Sequence, residues 1–170
     1  MPTHVSPPTA ELHLHIEGTL EPNAVVAMAR RNGVAIPVTD PDELRARYAF
    51  ADLQSFLDLH YANLTVLRTE EDFFELAGAY LDRARNCNVR RAEIFFDPQT
   101  HVENGVPIKA VMSGLTAAVG ASERTHGISA DIKEGIPEGM DVTDVLVQRR
   151  AAGGCGCATC TAWRDAHSTE

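Results

Sequence analysis

Ala10-Glu-Leu-His-Leu-His-Ile-Glu-Gly-Thr19 is the stretch whose reading decides the fold. Apolar and polar residues alternate through Ile16, the period-two pattern of a β-strand, and Glu17-Gly18-Thr19 then reads as a loop. Side chains alternate faces along a strand, so His13, His15 and Glu17 share one side if strand geometry holds through Glu17. Two neutral imidazoles on one face can converge on a single Zn²⁺ at about 2.0–2.1 Å each, and a carboxylate just beyond can hold the metal or a substrate N–H. Taken alone, His-x-His is equally the mark of ordinary buried or rim histidines. Its place at the C-terminal end of a first strand, directly before a glycine-containing loop, is where parallel β/α proteins put their chemistry.

Outward from this strand the chain continues in helices. Thr19 is placed to cap a helix over 21–32, with Val25, Met28 and Ala29 on one face and Gly33 as its stop. Leu53, Phe56, Leu57 and Leu64 recur at helical spacing. Thr69-Glu-Glu-Asp72 opens a further helix through Phe73, Leu76, Tyr80 and Leu81, with its acidic residues in the first turn. Phe73 and Phe74 read as core, with one of the two rings at an interface as the alternative. Asn86-Cys-Asn88 breaks the helical pattern, Val89 to Phe96 gives a second strand, and Asp97-Pro98 ends it. A helix over 107–124 and a third strand over 128–132 follow. Strand, helices, strand, helix, strand is the grammar of parallel β/α units, closed into a barrel or left open.

Composition narrows the function. With 170 residues, 44% apolar and a formal charge of −9, the chain has material for a sizeable core and a surface that repels polyanions. We therefore expect no nucleic-acid and no membrane partner, and a small molecule as the ligand. Residues 1–9 are Pro-rich and polar, without the apolar stretch of a secretory signal, and are expected to be a disordered leader; a cytoplasmic protein is expected. Cys155, Cys157 and Cys160 crowd together while Cys87 stands apart, which is not a disulfide framework.

The resemblance becomes specific at Glu11-Leu-His-Leu-His-Ile-Glu-Gly-Thr-Leu-Glu-Pro22, which resembles the opening motif of the adenosine/adenine deaminase family. Asp52-Leu-Gln-Ser-Phe-Leu57, Glu71-Asp-Phe-Phe-Glu-Leu-Ala77, Ala92-Glu-Ile-Phe-Phe-Asp-Pro-Gln-Thr-His101 and His126-Gly-Ile128 resemble further segments of that family, in the same order. Glu17 and the Phe96-to-His101 segment are more similar to the adenine-specific branch than to the adenosine-specific one. The resemblance implies the first part of a TIM-type (β/α)₈ barrel over residues 10–132, with one zinc at the C-terminal mouth. It implies His13 and His15 as two of the metal ligands, Glu17 as a substrate contact, and a purine whose 6-amino group is removed by hydrolysis, with adenine favoured over adenosine. No organic cofactor is implied, in keeping with the lack of a Gly-rich nucleotide fingerprint.

The family's third histidine ligand, aspartate ligand, proton-shuttling glutamate and water-orienting histidine have no matching motif in this sequence, and a whole barrel takes about 250 residues. Two ligands alone hold zinc weakly, so the expected chain is an inactive first part, its open sheet edge prone to self-association. A rival expectation is a non-enzymatic fragment that binds a full-length relative. Residues 133–170, with Arg149-Arg-Ala-Ala-Gly-Gly-Cys-Gly-Cys-Ala-Thr-Cys160, lack either periodicity and are expected to be an irregular tail or the product of a shifted reading frame.

Other constellations carry less. His15-Ile-Glu17 with Cys157-Ala-Thr-Cys160 imitates the cytidine-deaminase signature, but Gly156 replaces its proline and the halves lie too far apart. The cysteine cluster with His167 has no scaffold to fix a metal geometry. Asp165, His167 and Glu170 are expected to be solvated, His60 and His126 to be surface or packing residues, and Asp97 and His101 to have loop roles, with a place at the pocket mouth as the alternative for both.

Overall fold

A computed structural model describes residues 7–133. The cysteine cluster, His167 and the rest of the expected tail from residue 134 onward lie outside the described residues, as does most of the expected leader. Three strands, β1 (Thr9–His15), β2 (Val89–Phe95) and β3 (Ser129–Ile132), form one parallel sheet in the order β1-β2-β3. Six α-helices make the crossovers: α1 (Pro22–Asn32), α2 (Pro41–Ala46), α3 (Leu53–Leu64) and α4 (Glu70–Asn86) between β1 and β2, then α5 (Pro98–Glu103) and α6 (Ile108–His126) between β2 and β3. The expected α/β class with parallel units is the one observed.

Local chemistry sets the helix ends. Gly33 and Gly127 take left-handed φ values of 64° and 69° beyond α1 and α6, a conformation that costs glycine little because it has no Cβ. Asp52 and Thr69 cap α3 and α4 in reciprocal capping boxes with Ser55 and Asp72. Thr19 does not cap α1 as expected. Its hydroxyl donates to Ile16 O at 2.7 Å within a 3₁₀ turn over Ile16–Thr19, and Glu21 with Pro22 starts the helix instead.

The core lies between the sheet and the helices. Phe73, Leu76, Ala77, Tyr80, Leu81 and Ala84 form the buried stripe of α4, packed against Leu115, Ile94 and Ile128. Full burial of a ring such as Phe73 stabilises by about 1.5–3 kcal/mol. Of the two rings Phe73 is the core one and Phe74 is 46% exposed, because successive helical residues diverge by about 100° and only Phe73 falls on the stripe. Gly114 lets α6 approach α4 closely; a Cβ there would lie 2.3 Å from Glu70 O and 2.8 Å from Phe73 Cβ.

The β1–β2 register is irregular. Glu11 pairs with Ala92 and Leu14 with Ile94, so three steps on β1 span two on β2. Such a bulge inverts the facing of one side of the strand relative to the other. Glu11 therefore turns to the helices, where it accepts the Tyr80 hydroxyl at 2.5 Å, whereas His13 and His15 lie on the opposite face against Phe95. Leu12, at the bulge, is 63% exposed. The face of His13 and His15 carries further down an ionic ladder in which Arg91 meets Glu93 and Asp131, and Lys133 lies 3.4 Å from Glu93.

Candidate active site

The strand geometry that places His13 and His15 together ends at His15. Their Nε2 atoms lie 3.0 Å apart, with ring centroids at 4.9 Å and an interplanar angle of 62°. The His13 ring is buried against Phe95, centroid to centroid 4.3 Å. Between neutral imidazoles this spacing is one N–H···N hydrogen bond. It is also within a few tenths of an ångström of the roughly 3.3 Å that separates two nitrogens bound to one tetrahedral zinc at about 2.0–2.1 Å. The pair thus fits two positions of such a centre. Among the described residues no group of three or more His, Cys, Asp or Glu side chains converges on a metal position.

Glu17 does not continue the strand. The 3₁₀ turn after His15 carries it beneath the end of β2, where it is buried and its Oε1 accepts the Asp97 amide at 2.7 Å. The same oxygen faces His101 Nε2 at 3.1 Å. A carboxylate only accepts, so the imidazole nitrogen donates. Burial pushes the Glu17 carboxyl upward, but the hydrogen bonds from His101 and the Asp97 amide outweigh burial and hold it below its ordinary value.

His101 is the main correction to the sequence reading. It is not a loop residue but lies on α5, 1% exposed, edge-on to Phe73 with centroids 4.8 Å apart. Asp97 is likewise more than a loop residue. Its carboxylate caps α5 by accepting the amides of Gln99 and Thr100 and the Thr100 hydroxyl, while its own amide binds Glu17. Asp97-Pro98 is the sequence signal for this helix start, since aspartate is a favoured N-cap and proline a favoured first residue. Read only as the end of a strand, it conceals the short helix that turns His101 inward.

His60, on α3, is half-buried and stacks on Phe56 at 5.5 Å with an interplanar angle of 17°, in keeping with a packing role. It also faces the cluster. Burial lowers its pKa, the charges of Glu17 and Asp97 raise it, and His15 and His101 lower it, for a net downward shift. His126 packs 3.3 Å from Asp82, away from these groups in sequence and on the other side of α6 from its N-terminus.

A parallel β/α sheet that gathers imidazoles and a buried carboxylate at the C-terminal ends of its strands has them where proteins of the parallel β/α class carry their chemistry. The comparisons carry this to a family. The sequence model of the family described as "Adenosine deaminase" matches residues 8–134, and the chain belongs to that family. It is similar to the adenine deaminase of Streptomyces coelicolor, 60% identical over 122 residues that make up 72% of this chain and 36% of the relative. The adenine deaminase of Ralstonia nicotianae is 56% identical over 123 residues, again 36% of its length. The chain spans about a third of the curated relatives it matches. Among solved structures, the adenine deaminase from Arthrobacter aurescens superposes with a TM-score of 0.75 at 46% identity, covering 88% of this chain and 47% of that one. A Burkholderia ambifaria amidohydrolase crystallised with bound Zn gives a TM-score of 0.65 at 26% identity, covering 86% of this chain and 41% of that one. The described units are accordingly the first part of a TIM-type (β/α)₈ barrel. No helix of the described residues is long and apolar enough to cross a membrane.

Proposed function

We propose that this chain supplies the first β/α units of a zinc-dependent deaminase that hydrolyses the 6-amino group of a purine, adenine before adenosine. The observation that carries the reading is the approach of His13 and His15 Nε2 to 3.0 Å at the strand end, with the buried carboxylate of Glu17 in the turn that follows. In this reading residues 10–132 are the barrel portion, residues 1–9 a leader and residues 133–170 a segment apart from it. His13 and His15 hold the metal, and Glu17 accepts a purine N–H. Zinc, when bound, supplies the Lewis acidity that activates water for attack on C6. The protein's own part is to hold the two imidazoles against Phe95 and keep Glu17 ionised.

Relatives named adenine deaminases support adenine over adenosine, and the zinc in the 26% identical amidohydrolase supports the metal. Two imidazoles are half of a tetrahedral set, so the described residues need ligands from further strands before turnover is efficient. The test is ammonia release from adenine and from adenosine, with zinc added, by this chain joined to the later barrel units of an adenine deaminase relative, and by the His13→Ala and Glu17→Gln variants of that chimera. Adenine turnover lost in both variants supports the reading. Turnover unaffected by either substitution sinks the assignment of these residues, and a preference for adenosine sinks the substrate.

A second reading concerns association. Beside the β3 edge a cleft of about 790 Å³ is lined by Phe96, Ile108, Met112, Val119, Ala130 and Ile132, with Ile108 and Met112 substantially exposed. A largely apolar cleft along a sheet edge that is unpaired among the described residues suits another copy of this chain or the later units of a full-length relative. Sedimentation velocity across a hundredfold concentration range checks it. A mass that stays monomeric, and stays so when a full-length relative is added, counts against it.

A further inference from the structure

The His101 side chain is buried, and among the described residues its hydrogen-bonding partner is the carboxylate assigned above to the purine. Three observations bear on what it does there. First, Nε2 and the Asp97 amide both bind Oε1 of Glu17, at 3.1 and 2.7 Å, and neither engages Oε2. Second, Nδ1 of His101 is buried with no hydrogen-bond partner among the described residues. A proton on Nδ1 would be a buried donor without an acceptor, so the proton belongs on Nε2, facing the carboxylate. Third, the ring is fixed from behind by Phe73 of α4, edge-on at 85°, and from its own backbone by the Asp97-capped α5. The imidazole therefore arrives at Glu17 with its tautomer and its orientation both set by packing.

We propose that His101 is a positioning residue for Glu17: its Nε2–H, together with the Asp97 amide, locks the carboxylate in one rotamer with Oε1 engaged, leaving Oε2 to accept a purine N–H. This rests on Glu17 being the purine contact, and it adds the device that aims it. Free glutamate samples several staggered rotamers; an acceptor held in one meets a planar base without first being ordered. The segment Phe96-Asp-Pro-Gln-Thr-His101 then acts on the ligand entirely through Glu17.

Side-chain NMR on the 170-residue chain, without ligand, tests this. Long-range ¹H–¹⁵N spectra should show the Nε2–H tautomer of His101, and Glu17→Gln should shift those ring signals. Three-bond couplings to Glu17 Cγ should report a single rotamer in the native chain and in His101→Gln, whose amide N–H restores the donor, and rotamer averaging in His101→Phe. A Nδ1–H tautomer, or Glu17 couplings unchanged in a folded His101→Phe, overturns the proposal. If His101→Phe fails to fold, the other two variants decide: His101 ring signals indifferent to Glu17→Gln, or a Glu17 left averaged in His101→Gln, overturn it. Adenine is added last. Glu17 signals that ignore adenine count against Glu17 as the purine contact, whereas the rotamer data still decide for or against positioning by His101.

Discussion

Replacing Asp72 with alanine should be among the most damaging single changes in the described region. Asp72 is fully buried at the start of α4. Its Oδ2 accepts the amides of Arg68 and Thr69 at 2.9 and 2.8 Å, the Thr69 hydroxyl at 2.9 Å and Asn32 Nδ2 at 2.8 Å, while Arg31 binds Oδ1. Truncation leaves these donors facing a void. Hydrogen bonds to a charged group contribute about 1.5–3 kcal/mol each but are far from additive, and the Thr69 and Arg31 ends can rehydrate. The ion pair with Arg31, whose side chain is 37% exposed, adds at most about 1 kcal/mol after solvent screening. A loss of about 3 kcal/mol follows, and with a urea m-value near 2 kcal/mol/M the unfolding midpoint should fall by about 1.5 M. Asp72→Asn, which keeps one acceptor oxygen, should lose about half as much. Circular dichroism across a urea series measures both, and a midpoint for Asp72→Ala within about 0.3 M of the parent would refute the reasoning.

The same residue fixes a pH dependence. Burial pushes the Asp72 carboxyl up, but Arg31, the amides of Arg68 and Thr69, and Asn32 outweigh it and hold the folded-state pKa below the ordinary 3.8. A group with a depressed folded-state pKa binds more protons when unfolded, so its contribution is fully present above the unfolded value and is lost as pH falls through the folded one. Asp72→Asn should therefore flatten the part of the stability profile that declines below about pH 4.

Gly114→Ala should force α4 and α6 apart and lower stability by about 1–3 kcal/mol despite the gain in helix propensity, read as a fall in Tm; an unchanged Tm would show that the contact yields freely. Asp97→Ala should cost about 1 kcal/mol as a lost N-cap and should broaden the His101 ring signals as α5 frays, an effect absent if α5 is held by packing alone. Zinc added to the chain should bind with micromolar or weaker affinity, and His13→Ala or His15→Ala should abolish cobalt(II) absorption; nanomolar binding that survives either change would show that these histidines are not the ligands.

Strand-versus-helix periodicity, the glycine stops and the capping residues are local properties. On them rest the three strands, the long helices and the parallel β/α order, all read correctly from the sequence alone, and the ordered motifs pointed to the family. His13 and His15 were legible too, because a two-residue spacing on a strand suffices to put them on one face. Beyond that, contacts far apart in sequence decided the outcome. The bulge between Glu11 and Leu14, set by pairing with β2 about 80 positions away, sends Glu11 to Tyr80 and breaks the simple alternation. The 3₁₀ turn takes Glu17 off the strand and under β2, where Asp97 and His101 receive it across separations of 80 and 84 residues. No local pattern distinguishes an exposed loop histidine from one that a six-residue helix rotates into the core. That choice belongs to packing, since Phe73 of α4 and the carboxylate of Glu17 meet at His101 only once the sheet and helices have assembled.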